Sequence, residues 1–318
     1  MSQPPAAMTK RGVSPFVDNV RAYKKYASLV LMFLPVLLYF VVFKYIPMGG
    51  IVIAFKDFKI SRGIWGSEWV GVQNFAIAFR TSTFLRSMRN TLIISGLKLL
   101  FGFPAPILLA LMLNEVTHKR YQRVVQTISY LPHFLSWVVL AGMFQQLLSP
   151  NNGVVNYLLR YFFGRQEPIF FLGDNSYFRG TLVATDIWKN VGWASIIYLA
   201  TIAGIDPALY EAASCDGATR FQCTFFITLP LLAPTIVVML ILNVGSIMDA
   251  GFDQIFNLYN SAVYDSSDII DTYVYRIGIN DMKYDMSTAV GLFKNIVGFI
   301  LVVGTNMIAR RLSGEGIW

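Results

Sequence analysis

The chain of 318 residues is 55% hydrophobic, only 14% charged, and carries a formal net charge of +8. Soluble proteins normally hold about 25% charged residues, whereas here the charges are separated by apolar runs near the ~20 residues that cross a bilayer. An ordinary soluble domain is thereby excluded. With no basic stripe interleaved with aromatics, the positive balance points to juxtamembrane Lys and Arg and not to nucleic acid.

Residues 1–27 read as a cytoplasmic N-terminal segment, Pro/Ser/Ala-rich and frayed through Asp18. The apolar run 28–48 ends at Pro47-Met48-Gly49-Gly50, a poor cleavage site, so no cleavable signal peptide is expected and the run is a retained anchor. Five further spans follow at about 91–113, 124–148, 182–203, 231–250 and 288–309. The expectation is an all-α integral membrane protein with six transmembrane helices, a permease domain over 28–309 and a cytoplasmic tail over 310–318. Only the first span reads as lipid-facing throughout. The second carries Lys98 with Pro104 and Pro106, the third is interrupted by Pro132-His133, and the fourth contains Asp186, Lys189 and Asn190. Ionisable groups at membrane depth face a bundle interior or a watery path, and prolines survive there when neighbouring helices satisfy the freed carbonyls.

Total Lys and Arg do not separate the two faces, but the short loops do. Arg21, Lys24 and Lys25 flank the first span, Lys119, Arg120 and Arg123 lie between spans two and three, and Arg310 and Arg311 close the last. By the positive-inside rule both termini are cytoplasmic. The stretch 251–287 is then extracellular. Its Asp253, Asp265, Asp268, Asp271, Asp281 and Asp285 against Arg276 and Lys283 read as a solvated loop, or more sharply as a docking surface for an external protein. Cys215 and Cys223 share one cytosolic loop without disulfide or metal spacing toward His118 or His133, and read as inert thiols.

The loop 205–230, between spans four and five, is the informative one. Asp206 is a good N-cap and Pro207 suits the first helical position. The helix through Leu209, Tyr210, Glu211, Ala212 and Ala213 stops at Asp216-Gly217, where glycine can take the left-handed conformation that closes a helix. A second short element carries Phe221, Phe225 and Phe226 before Pro230 opens span five. Exposed apolar faces on two such helices mark a partner site, in the mode of a helix lying in a groove.

Glu211-Ala212-Ala213, then Gly217, nine further residues and Ile227-x-Leu229-Pro230 resemble the cytoplasmic EAA loop of bacterial ABC importer permeases. Asp216-Gly217-Ala218 and Pro234 fit its carbohydrate-importer version. Phe43 to Met48, Asn114-Glu115-Val116, Tyr130-Leu131-Pro132-His133-Phe134, Ile205-Asp206-Pro207, Asp271 to Arg276 and Ala289 to Phe293 are similar to the branch importing oligosaccharides released from polysaccharides. The resemblance implies a coupling helix seated in a cleft of a dimeric ABC ATPase. Glu211, Ala212, Ala213 and Gly217 would shape the joint, with Leu209, Asp216 and Phe221 in the same surface. It also implies a second, homologous permease subunit, an extracellular or periplasmic solute-binding protein, and a place in the bacterial inner membrane. No cofactor is expected in this chain; ATP and Mg would be bound by the ATPase.

Sugars are held by aromatic faces and by side chains that hydrogen-bond hydroxyls. Tyr130, His133, Ser136, Trp137, Gln145, Trp188, Asn190, Trp193, Tyr198, Asn243 and Asn295 offer such groups. Singly each reads as interhelical glue or an interfacial aromatic; together they read as a polar pathway. Asp186 and Lys189, three apart, are expected to pair, while Lys98 and Lys294 have no local partner. That pattern reads as an electropositive path accepting uronate-containing oligosaccharides, with snorkelling lysines as the simpler account. An ion-coupled secondary transporter would need internal inverted repeats, which the sequence does not display, and no coupling loop. An intramembrane enzyme fits less well, since His118 and His133 belong to no catalytic constellation. With no Gly-x-x-x-x-Gly-Lys phosphate loop, ATP hydrolysis falls to another chain.

Overall fold

A computed structural model describes residues 26–313. The expected tail 1–27 therefore lies almost wholly outside the described residues, as do Arg21, Lys24 and Lys25 and the end of the 310–318 segment. The chain divides into two compact units at Val52/Ile53. The described residues of the first belong to α1 (Ala27–Phe55), strongly apolar apart from Lys44 and without acidic residues.

The second unit opens with the one departure from an all-helical fold among the described residues. Lys56–Asp57 pairs antiparallel with Glu68–Trp69, Lys56 opposite Trp69. The Lys56 ammonium holds the turn by donating to the Ile64 and Ser67 carbonyls at 2.8 and 3.2 Å. Asn74 of α2 (Gln73–Arg80) donates to the Ala54 and Lys56 carbonyls from beneath. These hydrogen bonds satisfy backbone groups that a two-residue ladder leaves over.

The long helices follow. α3 (Ser82–Glu115) encloses the predicted 91–113 stretch and extends well before it, so Arg86 and Arg89 sit on a helix and not in a loop. α4 (Lys119–Phe134) and α5 (Trp137–Leu147) meet at 107°. The amphipathic α6 (Val154–Phe163), absent from the sequence-based reading, ends at Gly164 with φ +64°. α7 (Asn175–Ala203) begins at Asp174, whose side chain accepts from the Ser176 N–H at 2.8 Å. α8 (Pro207–Cys215) turns away from α7 by 69°. α9 (Arg220–Gly245) is followed by the short helices α10 (Phe252–Leu258), α11 (Tyr264–Ser267) and α12 (Ile270–Tyr275), and α13 (Tyr284–Ser313) closes the chain. Among the described residues, four helices are long and apolar enough to cross a membrane, or up to six if each bent pair is one span.

Three of the four π-turns among the described residues share one cause; the fourth, Arg276–Asn280, precedes no proline. The three occupy Val41–Tyr45, Lys98–Gly102 and Thr224–Thr228, each just ahead of a proline: Pro47, Pro104 and Pro230. Proline has no N–H and its ring clashes with the preceding turn of a regular helix. Widening that turn relieves the clash without ending the helix.

Packing between helices relies on small and polar residues as well as aliphatic ones. Ser87, Asn90, Thr91, Thr185 and Ser195 are buried alongside Ile94, Leu140, Phe178 and Leu182. In lipid there is no hydrophobic gain from joining helices, so close backbone approach and interhelical hydrogen bonds do the work. Gly192 of α7 is the tightest case: a Cβ there would overlap the Ser129 carbonyl of α4.

The 251–287 segment is not a solvated loop. It folds onto the ends of α3 and α7 through the fully buried carboxylate of Asp268. Arg276 grips that carboxylate with two guanidinium nitrogens at 2.7 and 3.2 Å, while Ser87 and Thr272 donate at 3.1 and 2.9 Å. Arg179 ties Asn90 to the Ser266 carbonyl, and the Thr91 hydroxyl accepts from the Ile270 N–H. Burial pulls the Arg276 guanidinium down, but the hydrogen bonds and charge of Asp268 outweigh it and leave Arg276 above its ordinary value. Burial lifts the phenols of Tyr259 and Tyr273.

Candidate functional site

The 206–230 segment is built from local rules. Asp206 accepts from the Ala208 N–H at 2.9 Å, and Pro207 occupies the first turn. At the other end Gly217 adopts φ +81°. The Ala218 N–H reaches the Ala213 carbonyl at 2.9 Å and the Gly217 N–H reaches Ser214 at 3.1 Å. This is the Schellman arrangement that satisfies the last carbonyls of a helix. Thr219 then opens α9 with a reciprocal capping box, its backbone N–H donating to Gln222 at 2.8 Å.

α8 contributes no buried residue. Leu209, Glu211, Ala212, Asp216, Gly217 and Phe221 are exposed, and Ala213 is half-buried. Phe221 and Phe225 lie 4.6 Å apart, centroid to centroid, and with Phe226 they leave an open apolar surface beside α8. Two anchors fix this assembly to the long helices. Tyr210 Oη lies 2.9 Å from Thr228 Oγ1. Glu115, at the end of α3, accepts from Thr224 at 3.2 Å and pairs with Arg220 at 3.5 Å. α8 is thus tied to the foot of α9, and the foot of α9 to the end of α3.

Between α3, α7 and α9 lies a cavity of about 300 Å³. Of the sequence-predicted residues, Lys98, Asn190, Tyr198 and Asn243 line it; Asp186, noted only as an ion-pair partner, lines it too. His133 and Trp193 stack face to face at 4.7 Å beside it, with His133 Nδ1 3.1 Å from Asn190 Oδ1. The other candidates are dispersed. Tyr130 is half-buried on α4, Trp188 packs edge-on against Phe144, and Asn295 is exposed on α13, away from the cavity lining. Gln145 lines a second cavity with Tyr259 and Asn260.

The charges differ from the sequence-based expectation. Asp186 pairs with Lys98 across helices at 3.4 Å and not with Lys189. Lys98 also donates to Gln254 at 2.6 Å and to the Ala250 carbonyl at 3.0 Å. Lys294 is held by Asp271 at 2.6 Å and by Asp249. Both lysines thus have carboxylate partners distant in sequence, and the path is not electropositive through bare ammonium groups.

Lys189 has a different task. It is buried and donates to the carbonyls of His133 and Leu135 at 2.7 Å each and of Pro132 at 3.4 Å, with the Trp137 ring 5.7 Å away. These carbonyls are exposed by the break between α4 and α5, where Ser136 caps the next helix. A cation at a helix C-terminus also complements its dipole. Lys189→Met should cost about 1–3 kcal/mol by stranding carbonyls in a low-dielectric interior. Thermal unfolding in detergent would register the loss, and an unchanged midpoint would contradict it.

A family model described as binding-protein-dependent transport system inner membrane component matches residues 102–313. The chain is 46% identical to Protein LplB of Bacillus subtilis (strain 168), covering 95% of this chain and 94% of that one. It is 45% identical to the polygalacturonan/rhamnogalacturonan transport system permease protein YteP of the same organism, covering 91% and 90%. Among solved structures it resembles a chain of a bacterial ABC transporter involved in the import of the acidic polysaccharide alginate. The TM-score is 0.86 at 43% identity, covering 93% of this chain and 99% of that one. The same likeness holds for the alginate transporter in complex with an alginate pentasaccharide-bound periplasmic protein.

Proposed function

The chain belongs to the binding-protein-dependent transport system inner membrane components, and from that premise we propose that it is the permease subunit through which an ATP-driven importer passes oligosaccharides of acidic polysaccharides. It is a non-enzymatic membrane subunit of an ABC importer. The observation that carries the reading is the exposed α8, closed by Gly217 and tied through Tyr210 to Thr228 at the foot of α9, which Glu115 of α3 in turn holds through Thr224 and Arg220. Such a surface is shaped to be pushed by a partner.

In this reading α1, α3, the bent pair α4/α5, α7, α9 and α13 are the six spans. Both termini and α8 face the cytoplasm, and a pair of ATPase chains binding ATP and Mg seats α8 in a cleft. A second, homologous permease completes the channel. A solute-binding protein delivers the sugar to the 251–287 side, and alternating access follows from rocking of the spans. The acidic substrate class is supported by the polygalacturonan and alginate relatives. It is not supported by unpaired lysines, because Lys98 and Lys294 are neutralised in place. An ion-coupled carrier is not favoured.

The test is ATP hydrolysis by the reconstituted complex with binding protein and oligogalacturonate or oligoalginate. Glu211→Ala should cut sugar-stimulated hydrolysis roughly tenfold, the worth of a charge-assisted hydrogen bond, with the complex intact. If the chain fails to co-purify with an ATPase, or the variant matches wild type, the reading fails.

A further inference from the structure

α10 divides its faces in an unusual way. Gln254, Ile255 and Leu258 are buried in the core. The opposite stripe, Phe252, Phe256 and then Tyr259, is only half-buried. These positions recur every three or four residues and so share one face. A helix outside the long spans would ordinarily present polar residues on such a face. Here the rings form a connected row: Phe252 to Phe256 at 5.1 Å, Phe256 to Tyr259 at 6.0 Å, and Tyr275 of α12 at 4.9 Å from Phe256 and 5.9 Å from Phe252. Asp253 and Asn257 flank it, Asn257 keeping its side-chain oxygen as an acceptor while its amide donates to the Asp253 carbonyl; Asn260 beside them is engaged with Leu172 and Ala262.

The row also leads somewhere. At one end Tyr259 lines a cavity of about 320 Å³ with Gln145 and Asn260. At the other, Phe252 and Tyr275 line a cavity of about 510 Å³ whose polar side is Asp249, Asp271 and Lys294. Asp249 lines the central cavity as well, so the outer cavity and the one holding Lys98 and Asn190 share a wall. The ring row thus runs between two of these spaces, and Asp249 joins the second of them to the central cavity. Ring faces with amides beside them suit the apolar faces and hydroxyl edges of sugars, and they let a chain advance from ring to ring because every pyranose offers a similar face.

We propose that Tyr259, Phe256, Phe252 and Tyr275 form a stacking track that receives successive sugar rings of an oligosaccharide and feeds them past Asp249 into the central cavity. The proposal rests on the importer reading above and adds the residues that touch the sugar on the 251–287 side. The track is selective for length: a long chain stacks on several rings at once, whereas a disaccharide engages few.

The experiment uses the complete complex in vesicles, with binding protein and oligogalacturonates from dimer to hexamer. Phe252→Leu and Phe256→Leu should raise the half-saturating concentration roughly three- to tenfold for the hexamer. The dimer should be much less affected, and the maximal rate with saturating sugar should be kept. Phe256→Tyr, which retains the ring face, should behave as wild type. Equal behaviour of the leucine variants and wild type at every length overturns the track. So does a defect independent of length accompanied by loss of the partner permease or binding protein, since that would make the row a protein interface. If the wild-type complex moves no oligosaccharide at all, the importer reading itself fails, and the track with it.

Discussion

Replacing Gly217 with proline is expected to abolish sugar-stimulated ATP hydrolysis in the assembled importer while the chain still inserts and pairs with its partners. Gly217 sits at φ +81°, and proline fixes φ near −65° and removes the N–H. The bond from Gly217 to the Ser214 carbonyl is lost outright, and the turn that lets Ala218 reach Ala213 cannot form. α8 still ends there, because proline cannot continue a helix, but the chain leaves it in another direction and the capping box at Thr219 is re-aimed. Because α8 contributes no buried residue, the damage falls on its direction more than on the stability of the bundle. The effect is one of backbone and not of crowding, as nothing lies within 4 Å of a Cβ built at Gly217. Asparagine visits the left-handed region more readily than other side chains, so Gly217→Asn should keep most of the activity. The expected readout is a fall of more than roughly tenfold for proline and less than about threefold for asparagine, with ATPase co-purification as the assembly control. Equal loss in both variants would place the cause outside the turn.

That turn was readable because everything it needs is local: a cap, a proline, a glycine and their spacing. Apolar length was equally legible, and it marked each of the long helices. Pro132 announced a break in the third apolar stretch, but not that Lys189, more than fifty residues on, would reach the His133 and Leu135 carbonyls at the 107° bend between α4 and α5. A neighbour rule assigned Lys189 to Asp186; burial of the exposed carbonyls was the stronger demand, and Lys98 took the carboxylate instead. Similarly Lys294 looked alone because Asp271 and Asp249 belong to other elements. The stripe Phe252, Phe256, Tyr259 does have helical spacing, yet in an acid-rich stretch only the buried opposite face of α10 gives that spacing a direction. What went unread was pairing across the fold, which composition and period do not encode.

The same limit explains Asp268, one acidic residue among several in a stretch read as solvated. Asp268→Ala is expected to cost about 3–5 kcal/mol, the usual consequence of removing one partner from a buried ion pair. Arg276 would keep its charge with no carboxylate opposite, and the fully buried Ser87 hydroxyl would lose its acceptor. Arg276→Ala should be harmful too but less so, because Arg86, 3.8 Å away, and the Ser87 and Thr272 hydroxyls still face the buried carboxylate. Removing both charges together, Asp268→Leu with Arg276→Met, should cost clearly less than the two single losses added. The desolvation of both ions is then recovered along with the loss of their attraction. Thermal unfolding of the detergent-purified complex measures all three. A single Asp268→Ala variant within about 1 kcal/mol of wild type would contradict the argument, as would strictly additive losses, because two independent surface charges would behave that way. The outcome matters beyond stability. Asp268 joins α12 to α3 through Arg276 and Ser87, so a loosened network should also spread the rings of Tyr275 and Phe256. Asp268→Ala should therefore weaken hexamer uptake more than dimer uptake, although Asp268 itself is buried away from any sugar.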